Sequence, residues 1–411
     1  MHSSMNNQAN WQPPLSERVR NLKPSPTLAI DAKAKALKAQ GADIINLSVG
    51  EPDFDTPDHI KEAAIKAIKD GFTKYTAVGG IPDLKKAIIE KMERDYGLTY
   101  SENAVMVSTG GKLALYNCMQ AIIDPGDEVI LPVPYWVSYP PMVELAGGVV
   151  RYLQTEPSNG FAIEPAAIAE LLTSRTKAII LNSPSNPTGS VYSSENLKDI
   201  AELAVKHGFY VISDDIYDAI RFDGKGCENA ASLFPEAKDR TLVINGVSKT
   251  YAMTGWRIGY LAGPEAVVKA ATKIQSQNTS NPTSIAQKAA AAAIAGPQDC
   301  VRNMLKAFAE RKDYLMQELP SIPALSCVEP KGAFYVFPDF SAYYGKKTPN
   351  NGREIDGSLA MADYLLDEAR IAAVPGIAFG DDRFIRFSYA ASLDTLKEGV
   401  KRLKKALAAL S

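Results

Sequence analysis

Short apolar runs alternate with stretches of helical spacing along the middle of the chain. The runs Ala104 to Val107, Glu128 to Leu131, Gly148 to Leu153, Lys177 to Leu181, Phe209 to Ile212 and Leu242 to Ile244 are each short enough to be a buried strand. Helical spacing fills most of the gaps, as in Leu113 to Ile123, Tyr135 to Ala146 and Glu195 to His207. Strand and helix in alternation predict an α/β fold with a mainly parallel central sheet. Upstream, Leu28, Ala32 and Leu37 mark a helix over Thr27 to Gln40 that Gly41 stops. Thr56-Pro57 is read as the N-cap and first turn of a helix ended by Gly71, and Ile81-Pro82 opens another that stops at Gly97.

After about residue 300 the pattern changes to a long charged helix, Cys300 to Leu319, then the runs Gly332-Ala-Phe-Tyr-Val-Phe, Ile371-Ala-Ala-Val and Phe384-Ile-Arg-Phe-Ser, and a final basic helix from Leu393. This predicts a smaller α+β unit. Tyr343 to Gly357, with its Lys, Asn and Gly, reads as a mobile surface loop. A chain of 411 residues exceeds what one core serves well. The expected division is a polar, disordered tail over 1–15, a small domain from 16–48 together with 300–411, and a large domain over 49–299.

Composition narrows the function. Net charge is −2 with acids and bases nearly balanced, so there is no electrostatic footprint for nucleic acid or an anionic membrane. No apolar run approaches the roughly 20 residues a membrane helix needs, and the polar N-terminus lacks the build of a signal peptide. Four scattered cysteines and three histidines suggest neither a zinc site nor a disulfide framework. The expectation is a cytoplasmic protein, without a metal, whose partner is a small molecule.

Open parallel sheets bind ligands beyond the carboxyl ends of their strands. Three marked groups follow such ends here: Asn186, Asp214 and Lys249. Lys249 lies in Asn245-Gly-Val-Ser-Lys-Thr-Tyr-Ala-Met-Thr-Gly-Trp-Arg257-Ile-Gly-Tyr260, the link between two buried runs. By residue type alone it is a solvated loop charge. Asp214 in Asp-Asp-Ile-Tyr217 serves equally as a turn cap, and Asn186-Pro-Thr-Gly as a β-turn. Ser108-Thr-Gly-Gly-Lys112 joins a strand to a helix N-terminus, a geometry that suits a phosphate as well as a tight turn. Arg386 stands inside an apolar strand, where a charge is costly unless paired. Trp136 reads as core, Tyr75 as surface packing and Gly50 as part of a plain loop when each is taken singly.

The Lys249 segment closely resembles the cofactor-lysine motif of class I aminotransferases, the pyridoxal-phosphate enzymes related to aspartate aminotransferase. Matching signposts run from about Lys23 to Arg386. The resemblance implies the type I fold of those enzymes, and a Schiff base between Lys249 and pyridoxal 5'-phosphate. It implies further that Arg257, Gly110 and Gly111 hold the phosphate, with Ser248 or backbone groups contributing in place of the family's usual serine, and that Asp214 keeps the ring nitrogen protonated. Asn186 and Tyr217 would bond the phenolic oxygen and Trp136 would stack on the ring. Arg386 would grip the substrate α-carboxylate, with Gly50 beside the substrate and Tyr75 crossing to the neighbouring subunit of a homodimer. The family's usual serine three residues before the lysine is Gly246 here, and many relatives carry Glu where this chain has Asp215.

Amino acids and 2-oxo acids are the substrates so implied, exchanged by a ping-pong cycle. The best-known aspartate aminotransferases place an arginine shortly before a Ser-Asn-Pro segment, whereas here Ser280-Asn-Pro follows Ile274-Gln-Ser-Gln. A bacterial branch acting on aspartate and prephenate uses a lysine instead. Lys112, which also borders the phosphate cradle, and Thr27 match that arrangement, so aspartate and glutamate are the expected donors. Rival readings on the same scaffold are an aromatic or prephenate aminotransferase, a β-lyase or a cyclopropane-forming synthase. A ligand-sensing domain of a DNA-binding regulator lacks both room for its partner module and the basic charge.

Overall fold

The computed structural model describes residues 14–20, 22 and 26–411, without the side chains of 26–29. The expected tail therefore falls largely outside the described residues, as does the side chain of Thr27. In chain order the strands are β1 (Ile45–Asn46), β2 (Val105–Ser108), β3 (Glu128–Val133), β4 (Val149–Gln154), β5 (Thr176–Asn182), β6 (Tyr210–Asp214), β7 (Thr241–Gly246), β8 (Gly259–Ala262), β9 (Tyr335–Val336), β10 (Ile371–Ala372), β11 (Val374–Pro375) and β12 (Ile385–Ser388).

Seven of them form one sheet in the order β2-β8-β7-β6-β5-β3-β4. Neighbours from β7 through to β4 pair in parallel, and β8 alone runs against the rest. Alternate residues of these strands feed opposite faces, as the pleat requires. Ile130, Ile179 and Val211 pack with Leu197, Ile200 and Ala204 of the helix Ser194–His207. Their neighbours Val129, Ile180 and Ile212 pack with Leu115 and Met119 of the helix Gly111–Ile122. A sheet covered on both faces needs apolar side chains at every position, which is why its strands read as unbroken apolar runs.

Two helix starts differ from expectation. The stretch expected as a helix from Tyr135 begins only at Tyr139, because the Tyr135 backbone N–H is spent on the Phe379 carbonyl at 3.0 Å and two prolines open the shorter helix Tyr139–Leu145. Thr56 does not cap the helix Asp58–Lys69. Its hydroxyl donates to the Ala252 carbonyl at 2.7 Å and accepts from Trp256 Nε1 at 2.9 Å, tying the chain entering that helix to the Lys249 segment.

The last third of the chain builds a second core with the N-terminal strand. β11, β12 and β9 form an antiparallel sheet, and β1 pairs in parallel with β10. Ala34 of the helix Pro26–Ala39 packs with Ile44, Leu366 and Ala372. The segment 343–357 is irregular yet anchored, with Tyr343 and Ile355 buried. Arg311, in the helix Asp299–Glu318, grips Asp53 through two bonds of 2.7 and 2.9 Å while lying against the Phe54 and Phe308 rings. That fork fixes the loop following Gly50. Among the described residues no helix is long and apolar enough to cross a membrane.

Candidate active site

Three adjacent strands end at one level. The register pairs Asn182 with Asp214 and Asp214 with Ile244, so the loops leaving β5, β6 and β7 rise side by side. They carry Asn186, Tyr217 and Lys249 into a cavity of about 280 Å³. Gly50, Lys112, Trp136, Ser248, Arg257 and Arg386 also line it, as does Gly111. Convergence of the three strand-end groups is thus realised.

Lys249 Nζ donates to the Gly50 carbonyl at 2.5 Å. Burial is the main cause that lowers its pKa to about 8, helped by the Arg257 and Arg386 cations and opposed by Glu51 and Asp214. The amine is therefore easily freed of its proton near neutrality. Asp214 is buried and pushed up to about 6, chiefly by desolvation, although Tyr139 Oη donates to its carboxylate at 2.7 Å and the Ile216 backbone N–H at 3.3 Å. A carboxylate kept this dry is a strong partner for a cation and a poor one for nothing.

Arg386 is buried on β12, where its Nη1 donates to Asn186 Oδ1 at 2.9 Å and Nη2 to the Ser48 carbonyl at 2.6 Å. Among the described residues its buried Nε has no hydrogen-bond partner. Asn186 is fixed from behind, since its backbone N–H donates to Asn182 Oδ1 at 2.8 Å and Asn182 Nδ2 reaches the Asp214 carbonyl at 2.8 Å.

Gly110 has φ of +87°, and a Cβ there would lie 2.3 Å from Arg257 Nη2. Only glycine lets the guanidinium settle against the N-terminus of the helix Gly111–Ile122. Arg257 itself adopts left-handed backbone with φ of +57° and is held by the Thr254 carbonyl at 2.9 Å. Gly246 has a steric reason as well, because a Cβ would approach the Ile258 carbonyl to 2.9 Å. Lys112 is exposed and holds its ammonium 4.8 Å from the Trp136 ring centroid. Tyr75 stands apart from the cavity, 92% exposed.

Several wall residues escaped the sequence reading. Asn182 was within reach of it, being the last residue of an apolar strand at the expected ligand edge. Tyr139 stands three residues after Trp136 and packs edge-on against it, at 5.3 Å between centroids. Tyr335 gave no signal, one aromatic among several in a core strand.

Sheet order, cavity and strand-end groups define a cofactor-binding α/β enzyme. Comparison with known proteins makes the class specific: the family model described as aminotransferase class I and II matches residues 42–403. An aspartate aminotransferase of Geobacillus stearothermophilus is 50% identical, the match covering 95% of this chain and 98% of that one. An aspartate/prephenate aminotransferase of Nitrosomonas europaea is 48% identical, with 96% and 99% covered. Among solved structures, the aspartate aminotransferase from Rhizobium meliloti superposes with a TM-score of 0.93 at 44% identity, covering 98% of this chain and all of that one. That of Thermus thermophilus with maleate gives 0.89 at 43%, covering 96% of this chain and 100% of that one. The chain belongs to the class I and II aminotransferases. Enzymes of the aspartate aminotransferase type in that family use pyridoxal phosphate.

Proposed function

We propose that this protein is an aspartate aminotransferase that moves the amino group of L-aspartate or L-glutamate to oxaloacetate or 2-oxoglutarate, with prephenate as a further acceptor. The observation that carries the reading is the setting of Lys249, an amine with its pKa near 8 between a buried carboxylate, Asp214, and a buried guanidinium, Arg386. Two of the relatives named above act, by their names, on aspartate, and one of these on prephenate too.

The residues fit pyridoxal phosphate. Gly110, Gly111, Ser248 and Arg257 supply a cationic, donor-rich pocket at a helix N-terminus for its phosphate. Asp214 would meet a pyridinium nitrogen, which would remove the cost of burying its charge. Asn186 and Tyr217 would donate to the phenolic oxygen, and Trp136 would cover one ring face. The unpaired Arg386 Nε and its neighbouring N–H groups suit the substrate α-carboxylate.

Bound there, the cofactor supplies an electron sink for the bond pair left when the substrate Cα loses its proton. Lys249 would do two jobs: its Nζ would anchor the cofactor, and as a neutral amine it would take the substrate Cα proton and hold it for return. Gly50 holds Nζ on the substrate side of the cavity meanwhile, through its carbonyl. Arg386 fixes the carboxylate so that the Cα proton faces Nζ, and Lys112 meets the side-chain carboxylate with help from Thr27. Tyr75, a large aromatic left exposed, completes the phosphate site of a second subunit in a homodimer. The enzyme works in the cytoplasm.

A coupled assay tests the reading. L-aspartate bearing labelled nitrogen, incubated with 2-oxoglutarate, is expected to give labelled glutamate and oxaloacetate in equal amounts. Release of labelled ammonia with no labelled glutamate would identify a lyase instead.

A further inference from the structure

One buried phenol in the cavity wall has no part in the scheme above. Tyr335 on β9 is fully buried and lines the cavity. Its hydroxyl is 2.8 Å from that of Tyr217. The Arg386 guanidinium lies 4.6 Å from its ring centroid, a cation–π contact that the pairing of β9 with β12 enforces. Gly50 presses on it from the third side, since a Cβ there would sit 2.7 Å from the Tyr335 oxygen. One side chain therefore touches a phenolic donor, a carboxylate-binding cation and the loop that holds Lys249.

A hydroxyl has one proton and two lone pairs, so the Tyr217 proton can be aimed either at Tyr335 or into the cavity. We propose that Tyr335 is a positioning residue: it donates to the Tyr217 oxygen and thereby commits the Tyr217 proton to the phenolic oxygen of the cofactor. The inference rests on the assignment of Tyr217 as that donor. Direction follows from the surroundings. Burial raises the pKa of both phenols, and the Arg386 cation pulls against the rise in each. Among the described residues the Tyr335 hydroxyl has Tyr217 as its hydrogen-bond partner, so once Tyr217 points its proton into the cavity the Tyr335 proton is placed on the Tyr217 oxygen. A hydrogen bond received at the Tyr217 oxygen polarises its O–H and strengthens the bond it makes in turn. Gly50 and the β9 backbone keep the donor in line.

The test is a double-mutant cycle on the holoenzyme, with Tyr335→Phe, Tyr217→Phe and both together. Tyr335→Phe keeps the ring against Arg386 and removes only the hydroxyl. A donor to the phenolic oxygen stabilises its negative charge, so the proton on the cofactor–lysine linkage leaves at lower pH when the donor is strong. Titrating the visible absorbance of the bound cofactor, Tyr335→Phe should raise the midpoint by about half a pH unit, Tyr217→Phe should raise it further, and the double variant should match Tyr217→Phe alone. Cofactor affinity, measured by adding pyridoxal phosphate to the apoproteins, should show the same lack of additivity. An unchanged midpoint in Tyr335→Phe, or an equal increment with and without Tyr217, overturns the inference. If Tyr217→Phe itself leaves the midpoint in place, the Tyr217 assignment falls and this inference with it.

Discussion

Arg386 Nη1 donates to Asn186 Oδ1 at 2.9 Å, joining residues 200 apart in the chain. Asn186 is held in turn by Asn182, and Asn182 by the Asp214 backbone. Arg386 and Asp214, the proposed carboxylate grip and ring partner, therefore belong to one hydrogen-bonded frame, and on that proposal a disturbance at Arg386 is felt by every substrate. Arg386→Lys keeps a charge but loses the planar fork. It should lower kcat/KM about a hundredfold or more for acidic and neutral amino acids alike, with cofactor loading retained. Steady-state kinetics with aspartate and alanine as donors checks this, and a loss confined to one of them would contradict it.

Lys112 should behave differently. Its ammonium rests over Trp136, and partial desolvation of that end of an otherwise exposed residue, with the Arg257 charge nearby, lowers its pKa. A charge-assisted contact to a side-chain carboxylate contributes about 1.5 to 3 kcal/mol, so Lys112→Ala should cut kcat/KM roughly ten- to a hundredfold for aspartate and glutamate. Neutral aromatic donors should lose much less. Equal losses would assign the lysine to the cofactor and withdraw the substrate reading.

The Lys249 amine attacks an aldehyde only when it is unprotonated, and its pKa stands near 8 where 10.5 is ordinary. The rate at which apoprotein captures pyridoxal phosphate should therefore rise through about pH 8 and level off above it. Stopped-flow absorbance reads this rate. A rise continuing unchanged to the ordinary lysine range would show that burial does not tune the amine. Lys249→Ala should give no such absorbance and lose at least about four orders of magnitude in turnover.

These expectations draw on a site that was partly legible in the chain. The parallel strands could be read because both faces of the sheet are covered, so Ile179 and Ile180, pointing opposite ways, are both apolar. Arg386 stood out because a cation inside such a run must have partners. What could not be read was how polar groups choose among equivalent partners. Thr56 has the right residue type for a helix cap, yet tertiary contacts with Ala252 and Trp256 take its hydroxyl. Tyr335 is one of several buried aromatics from Phe334 to Phe337, and its position against Tyr217 depends on strands that meet only in the fold.

Asp215 offers a pH test of the buried floor. Burial and the nearby Asp218 and Asp214 charges push its pKa from the usual 3.8 to about 7, although Ser213 Oγ and Asn229 Nδ2 donate to it at 2.6 and 3.0 Å. The folded protein then holds a proton that the unfolded chain releases, so stability should fall as pH rises from about 4 to about 7, by on the order of 4 kcal/mol at most. Asp215→Asn mimics the protonated carboxyl. Its apoprotein should show a flatter dependence and melt a few degrees above the parent at pH 8. Parallel melting curves across that range would contradict the assignment.

The central claim is that this site passes the nitrogen of one amino acid to a second 2-oxo acid, with Lys249 moving the Cα proton. Single-turnover measurement isolates this step. Holoenzyme mixed with L-aspartate alone should release one oxaloacetate per bound cofactor and then stop, and adding 2-oxoglutarate should yield one glutamate and restore the starting absorbance. Continued release of product from aspartate alone, or no oxaloacetate at all, would contradict the account.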